Sequence, residues 1–172
     1  MNHRSLLASL VFSLALVCLP SLASAQCTTG CTIPGTAGND TLFGTAGADV
    51  FCAGAGDDVL YGGAGDDTMC GGTGNDKING EGGKDLIDGM DGYDDIDGGD
   101  DPDSAYGSRH DDTISGGLGN DTLAGSRNND TIKGGSGNDT IYGENDTDYL
   151  DGEAGTDSCT TGETYVSCEI IF

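Results

Sequence analysis

From Gly35 to Thr160 an apolar residue recurs at every ninth position: Leu42, Phe51, Leu60, Met69, Ile78, Ile87, Ile96, Ala105, Ile114, Leu123, Ile132, Ile141, Leu150 and Cys159. A spacing of nine fits neither a helical stripe nor an alternating strand carried through the chain. It implies short elements that each bury one side chain, separated by turns. The blocks begin GTAGNDTLF, GTAGADVFC and AGAGDDVLY and run without insertion to GEAGTDSCT. Positions 7–9 (TLF, TIS, TIK, TIY) read as a three-residue strand with only position 8 facing inward. Positions 1–6 read as a glycine-rich turn. Two blocks make one coil of eighteen residues, and stacked coils make two parallel sheets with a thin line of position-8 side chains between them.

The polar positions add chemistry to this frame. Position 1 is Gly in every block but the one starting at Ala53, and position 6 is Asp throughout. Coils stack about 4.8 Å apart, so residues eighteen apart form columns. One edge carries Asp40, Asp58, Asp76, Asp94, Asp112, Asp130 and Asp148; the other carries Asp49, Asp67, Asp85, Asp103, Asp121, Asp139 and Asp157. Carboxylates stacked this closely repel unless a cation lies between them. Carboxylates with flexible turn carbonyls suit a hard ion of high coordination number, which favours calcium over magnesium or zinc. His110 is the one histidine of the repeats and the cysteines are scattered, so no zinc or iron constellation is expected.

Composition narrows the classes. The 172 residues carry 30 Asp and Glu against six Lys and Arg, a formal charge of −24. That excludes phosphate-driven nucleic-acid binding and attraction to an anionic membrane. Glycine is 32 of 172 and not at every third position, so collagen is excluded. Acidic pairs such as Asp57-Asp58 and Asp94-Asp95 keep the repeat register and read as ligands or solvated turn residues, not as catalytic carboxylates. No nucleophile–base set stands apart from the repeat, so no enzyme is expected.

The N-terminus follows another grammar. Arg4, the apolar run Leu6 to Leu19, Pro20 and the small residues Ala23-Ser24-Ala25 read as a secretory signal peptide over 1–25, cleaved after Ala25. Export of the remainder, with no integral membrane segment after signal removal, is the expectation, and the location would be extracellular. Residues 26–34 then form an N-terminal cap, 35–160 the repeat and 161–172 a C-terminal cap. Six cysteines remain in the exported part, and an even count there reads as disulfides. Cys52 and Cys70, both at position 9 and eighteen apart, are expected to pair; Cys27 with Cys31 and Cys159 with Cys168 would tie the ends.

GGAGDDTMC, GGTGNDKIN, GGLGNDTLA and GGSGNDTIY resemble the RTX (repeats-in-toxin, haemolysin-type) nonapeptide GGxGxDxUx, in which U is a large apolar residue. The resemblance implies an all-β, right-handed parallel β-roll of about seven eighteen-residue coils, with calcium held between neighbouring turns. Carried onto this chain, the ligands are the fourteen position-6 aspartates and turn carbonyls. The N-terminal signal and the cysteines depart from the usual pattern of the family. Asp101, His110, Asn128 and Asp146 replace Gly at position 4, Pro102 stiffens one turn, and Ala105 fills little core. A seam with weaker sites is therefore expected over 98–115, and roughly eight to ten ions overall. The reading is a secreted calcium-binding protein that folds on binding its ions, with surface or matrix association as its wider role. The alternative is an ice- or polysaccharide-binding solenoid, resting on the stacked pairs Thr113/Thr131 and Thr122/Thr140.

Overall fold

The structure, a computed structural model, describes residues 30–160 and Cys168. The signal-peptide reading, residues 26–29 of the N-terminal cap and all of the C-terminal cap but Cys168 lie outside these residues. Fifteen strands follow one another from β1 (Ile33–Pro34) and β2 (Thr41–Phe43) to β14 (Tyr149–Ala154) and β15 (Ser158–Thr160), with no helix among the described residues. Odd-numbered strands form an eight-stranded sheet and even-numbered strands a seven-stranded one, each in chain order. Every pairing is parallel with partners eighteen residues apart, as in Phe51↔Met69 and Ile114↔Ile132. The chain is therefore a parallel β-solenoid of about seven coils, as the nine-residue period predicts.

Between the sheets runs a single file of buried side chains. Phe51, Leu60, Met69, Ile78, Ile87, Ile96, Ala105, Ile114, Leu123, Ile132, Ile141 and Leu150 are each at most 1% exposed. One core residue per nine is little apolar burial for a fold of this length. Apart from the half-buried Asp40, the position-6 carboxylates are buried almost as deeply, from Asp49 at 8% to Asp58 at 1% exposure. A core this thin, flanked by two columns of buried acids, needs something to offset their desolvation.

β2, β4 (Val59–Tyr61), β6 (Lys77–Asn79) and β15 keep the three residues expected, but most of the other strands are longer. β3 (Val50–Ala55), β5 (Thr68–Thr73), β7 (Leu86–Asp91), β8 (Asp95–Asp100), β10 (Thr113–Leu118) and β12 (Thr131–Ser136) each continue through positions 1–3 of the next block. In all of these but β3, which has Ala53, position 1 is glycine, and the position-6 carboxylate folds back against it: a Cβ added at Gly98 would sit 2.6 Å from Asp103 Oδ2. From the third block onward, positions 2 and 4 hold positive φ. Where they are not glycine the backbone settles near the left-handed region, as at Ser108 (82°), His110 (78°), Ser126 (83°) and Asn128 (77°). On the edge of Asp94 to Asp148, position 2 carries a row of side chains at positive φ: Met90, Ser108, Ser126 and Glu144. Gly135 sits at φ 103°, in the same place on the other edge. Gly135→Val is expected to lower the unfolding free energy of the calcium-loaded protein by about 2 kcal/mol, because a β-branched residue resists that region. Gly135→Asn should cost less than Gly135→Val, because Asn tolerates the left-handed region, although either Cβ must displace the Gly117 carbonyl oxygen, 2.2 Å from where it would sit. Denaturant melts of the two variants check the difference.

The expected seam is not in the sheets. β9 (Ser104–Arg109) pairs in register with β7 and β11 (Thr122–Ser126), and Ala105 is fully buried. The disulfides need a larger correction. Cys31 bonds Cys52, with Cα atoms 5.9 Å apart, so neither Cys52–Cys70 nor Cys27–Cys31 forms. Cys52 and Cys70 are register partners on parallel strands. Their Cα–Cβ bonds run side by side at the inter-strand spacing of about 4.8 Å, wider than the roughly 3.8 Å between Cβ atoms that a disulfide prefers. Cys70 is itself disulfide-bonded. Cys159–Cys168 forms as expected, at a Cα separation of 5.9 Å.

Candidate metal centre

Each position-6 aspartate sits where a turn rejoins a strand, so its side chain is fixed by backbone on both sides. Its two carboxylate oxygens have different surroundings. One of them, Oδ1, accepts the backbone N–H of the aspartate one coil earlier. Asp40 N–H donates to Asp58, Asp58 to Asp76, and Asp94 to Asp112, and the other edge repeats this from Asp49 to Asp157. The bonds span 2.7 to 3.0 Å. These relays run one way, from each coil to the next, and bring the fourteen aspartates into two continuous columns.

The other oxygen, Oδ2, is buried without a hydrogen-bond partner in Asp58, Asp67, Asp76, Asp85, Asp94, Asp103, Asp112, Asp121, Asp130, Asp139 and Asp148. An orphaned buried carboxylate oxygen costs more than a normal hydrogen bond returns, and a regular array of them fits cations held between the coils. Burial pushes Asp76, Asp85 and Asp121 up to about 6, Asp94, Asp103 and Asp130 up to about 7, and Asp112 up to about 8. The N–H donated from the coil before opposes that rise in each case, and neighbouring aspartates add to it. Asp67, Asp139 and Asp148 are raised for the same first reason.

Asp40 and Asp49 differ. Oδ2 of Asp40 accepts the amide and the hydroxyl of Thr36 at 2.6 and 2.8 Å. Oδ2 of Asp49 accepts both donors of Thr45 at 2.8 Å, and its Oδ1 accepts the Thr32 hydroxyl at 3.2 Å. Hydrogen bonding from Thr45 therefore holds the Asp49 carboxyl below its ordinary value, the reverse of the later positions. Asp157 closes its column, buried at 2% exposure and accepting the Asp139 N–H.

A second ladder runs beside the first. Oδ1 of Asn39, Asp57, Asn75, Asp111 and Asn129 on one edge, and of Asp66, Asn120 and Asn138 on the other, accepts the backbone N–H one coil later. These are position-5 residues. Their recurrence as Asn or Asp is visible in the sequence, though less regular than the aspartate at position 6. Ala48, Lys84, Tyr93 and Pro102 supply no Asn or Asp to this ladder, and of these only Pro102 falls within residues 98–115.

The donor set suits a hard cation. Eleven buried carboxylate oxygens lack partners and stand beside glycine-rich turns. Among the described residues no three His, Cys, Asp or Glu side chains cluster to hold a metal by themselves. An ion here would draw on turn carbonyls as well, which is calcium chemistry more than zinc chemistry. The threonine ladders are short: Thr113/Thr131 is flanked by Asp95 and Tyr149, and Thr122/Thr140 by Ser104 and Ser158.

A family model for the RTX calcium-binding nonapeptide repeat matches the chain four times, over residues 34–69, 61–96, 91–123 and 124–159. A search among curated proteins found no match.

Proposed function

Because the chain belongs to the RTX calcium-binding nonapeptide-repeat family, we propose that it is a secreted, non-enzymatic protein whose two aspartate columns fill with calcium and whose coils order as they fill. The observation that carries this reading is the array of eleven orphaned Oδ2 atoms, six on one edge and five on the other. Gaps between successive orphaned carboxylates number five on one edge and four on the other, in keeping with roughly eight to ten ions. The ligands are Asp58 to Asp148 on one edge and Asp67 to Asp139 on the other, with Asp157 closing the second column and turn carbonyls completing each site. Calcium supplies the positive charge that the buried carboxylates need, and extracellular modules hold it at about 10⁻⁴ to 10⁻³ M. Secretion rests on the signal grammar of residues 1–25, and surface or matrix association would follow from calcium-dependent ordering outside the cell. Among the described residues no helix is long and apolar enough to cross a membrane.

Native mass spectrometry during a calcium titration tests the reading, with circular dichroism followed in parallel. About nine ions should bind as the β signal rises. Uptake of no ion at millimolar calcium would refute it. Asp112→Asn is a sharper probe, since Asp112 lies between Asp94 and Asp130 in one column. The variant is expected to bind about two fewer ions, with the other edge unaffected. Equal loss on both edges would contradict the column arrangement.

A further inference from the structure

The first coil is built differently from those that follow, and the difference begins in sequence. Blocks 35–43 and 44–52 have Thr at position 2, where later blocks have Gly, Glu, Met or Ser. A β-branched residue resists positive φ, and neither Thr36 nor Thr45 adopts it, nor do Gly38 and Gly47 two positions on. With the turn in this other conformation, the threonine amide and hydroxyl both reach the aspartate four residues ahead. Asp40 and Asp49 thus have their Oδ2 atoms occupied by protein donors. Thr32 adds its hydroxyl to Asp49 Oδ1 and accepts the Val50 N–H at 2.8 Å. The Cys31–Cys52 disulfide fastens the entering chain to the same coil.

Resting on the calcium reading above, we infer that residues 35–52 form a metal-independent cap from which the solenoid orders towards its C-terminal end. Thr36 and Thr45 each present two donors to the oxygen that later turns leave for a cation. The finished cap then offers the N–H groups of Asp40 and Asp49 to the carboxylates of Asp58 and Asp67. Those bonds fix the first two ligands before an ion arrives, and each filled turn prepares the next in the same direction. Asp40 and Asp49 are thus structural acceptors, not calcium ligands.

Hydrogen exchange read by mass spectrometry on the full chain, with disulfides intact, tests this. In chelator, amides of residues 35–52 should exchange at least about tenfold more slowly than those of 113–154; calcium should then protect both regions. Thr36→Gly/Thr45→Gly should lose the metal-free protection while the calcium-loaded chain stays ordered. Asp40→Asn/Asp49→Asn should keep the wild-type ion count, whereas Asp112→Asn loses ions. Equal exchange at both ends in chelator, with calcium uptake intact, would overturn the cap and leave the calcium reading standing. Loss of ions from the Asp40→Asn/Asp49→Asn protein would also overturn it. A wild-type chain that takes up no calcium fails the calcium reading instead, at the first titration.

Discussion

Chelation of calcium near neutral pH is expected to abolish most of the β signal and to expand the chain, and restoring calcium should reverse both changes. The size of the effect follows from the thin core. Twelve position-8 side chains are at most 1% exposed, and buried carboxylates flank them on both edges. At ten times its dissociation constant each ion adds about 1.4 kcal/mol. Nine such ions contribute on the order of 13 kcal/mol, comparable with the whole stability of an ordinary domain, about 5–15 kcal/mol. Without them the orphaned oxygens remain desolvated and like charges face one another along each column. Circular dichroism and small-angle scattering in chelator, then in calcium, read the two states. A compact, fully β chain after complete chelation would show that the aspartate columns are neutralised by some other means.

Acidification in chelator should partly restore the fold, with the opposite sign to ordinary acid denaturation. Burial raises the folded-state values of Asp76, Asp85 and Asp121 to about 6, of Asp94, Asp103 and Asp130 to about 7 and of Asp112 to about 8. In the unfolded chain they titrate near 3.9. A raised carboxyl binds its proton more tightly in the folded state. Its contribution is fully present below the unfolded value and is lost as pH rises through the folded one. The metal-free β signal should therefore grow as pH falls from about 8 towards about 4, while the calcium-loaded signal stays level over the upper part of that window. Protons and calcium compete for the same oxygens, so calcium affinity should weaken along the same path. Asp49 runs the other way: its lowered value stabilises the first coil above the ordinary carboxylate range and is lost on acidification. A dichroism series in chelator at low protein concentration checks the sign. A β signal that falls steadily on acidification would contradict the burial argument.

Most of the architecture was legible because one period carries it. Asp at position 6 and an apolar residue at position 8 recur at every ninth residue, and two such blocks account for the eighteen-residue register of both sheets. Strand length was less legible, since glycine at positions 1–3 reads as turn although Gly71-Gly72 and Gly116-Gly117 lie within β5 and β10. The cysteines misled because spacing along a column reports proximity and not the direction of Cβ: Cys52 and Cys70 are neighbours, and Cys31 holds the bond. Asp40 and Asp49 were indistinguishable from the other twelve by position. What separates them is the residue four places earlier, and the consequence of threonine there depends on a backbone conformation that a pattern of residue types does not display.

The uniform step of eighteen also governs how such a molecule can change length. Successive blocks alternate between the two sheets, so deleting one block would send every later strand to the opposite side. The carboxylate columns would survive, because all blocks supply one, but the row of Met90, Ser108, Ser126 and Glu144 would switch flanks and lose its alignment with anything upstream. Excision or duplication of a block pair leaves both flanks as they were. Variants of this chain should accordingly tolerate growth and shrinkage in double steps, with single steps tolerated only at the ends.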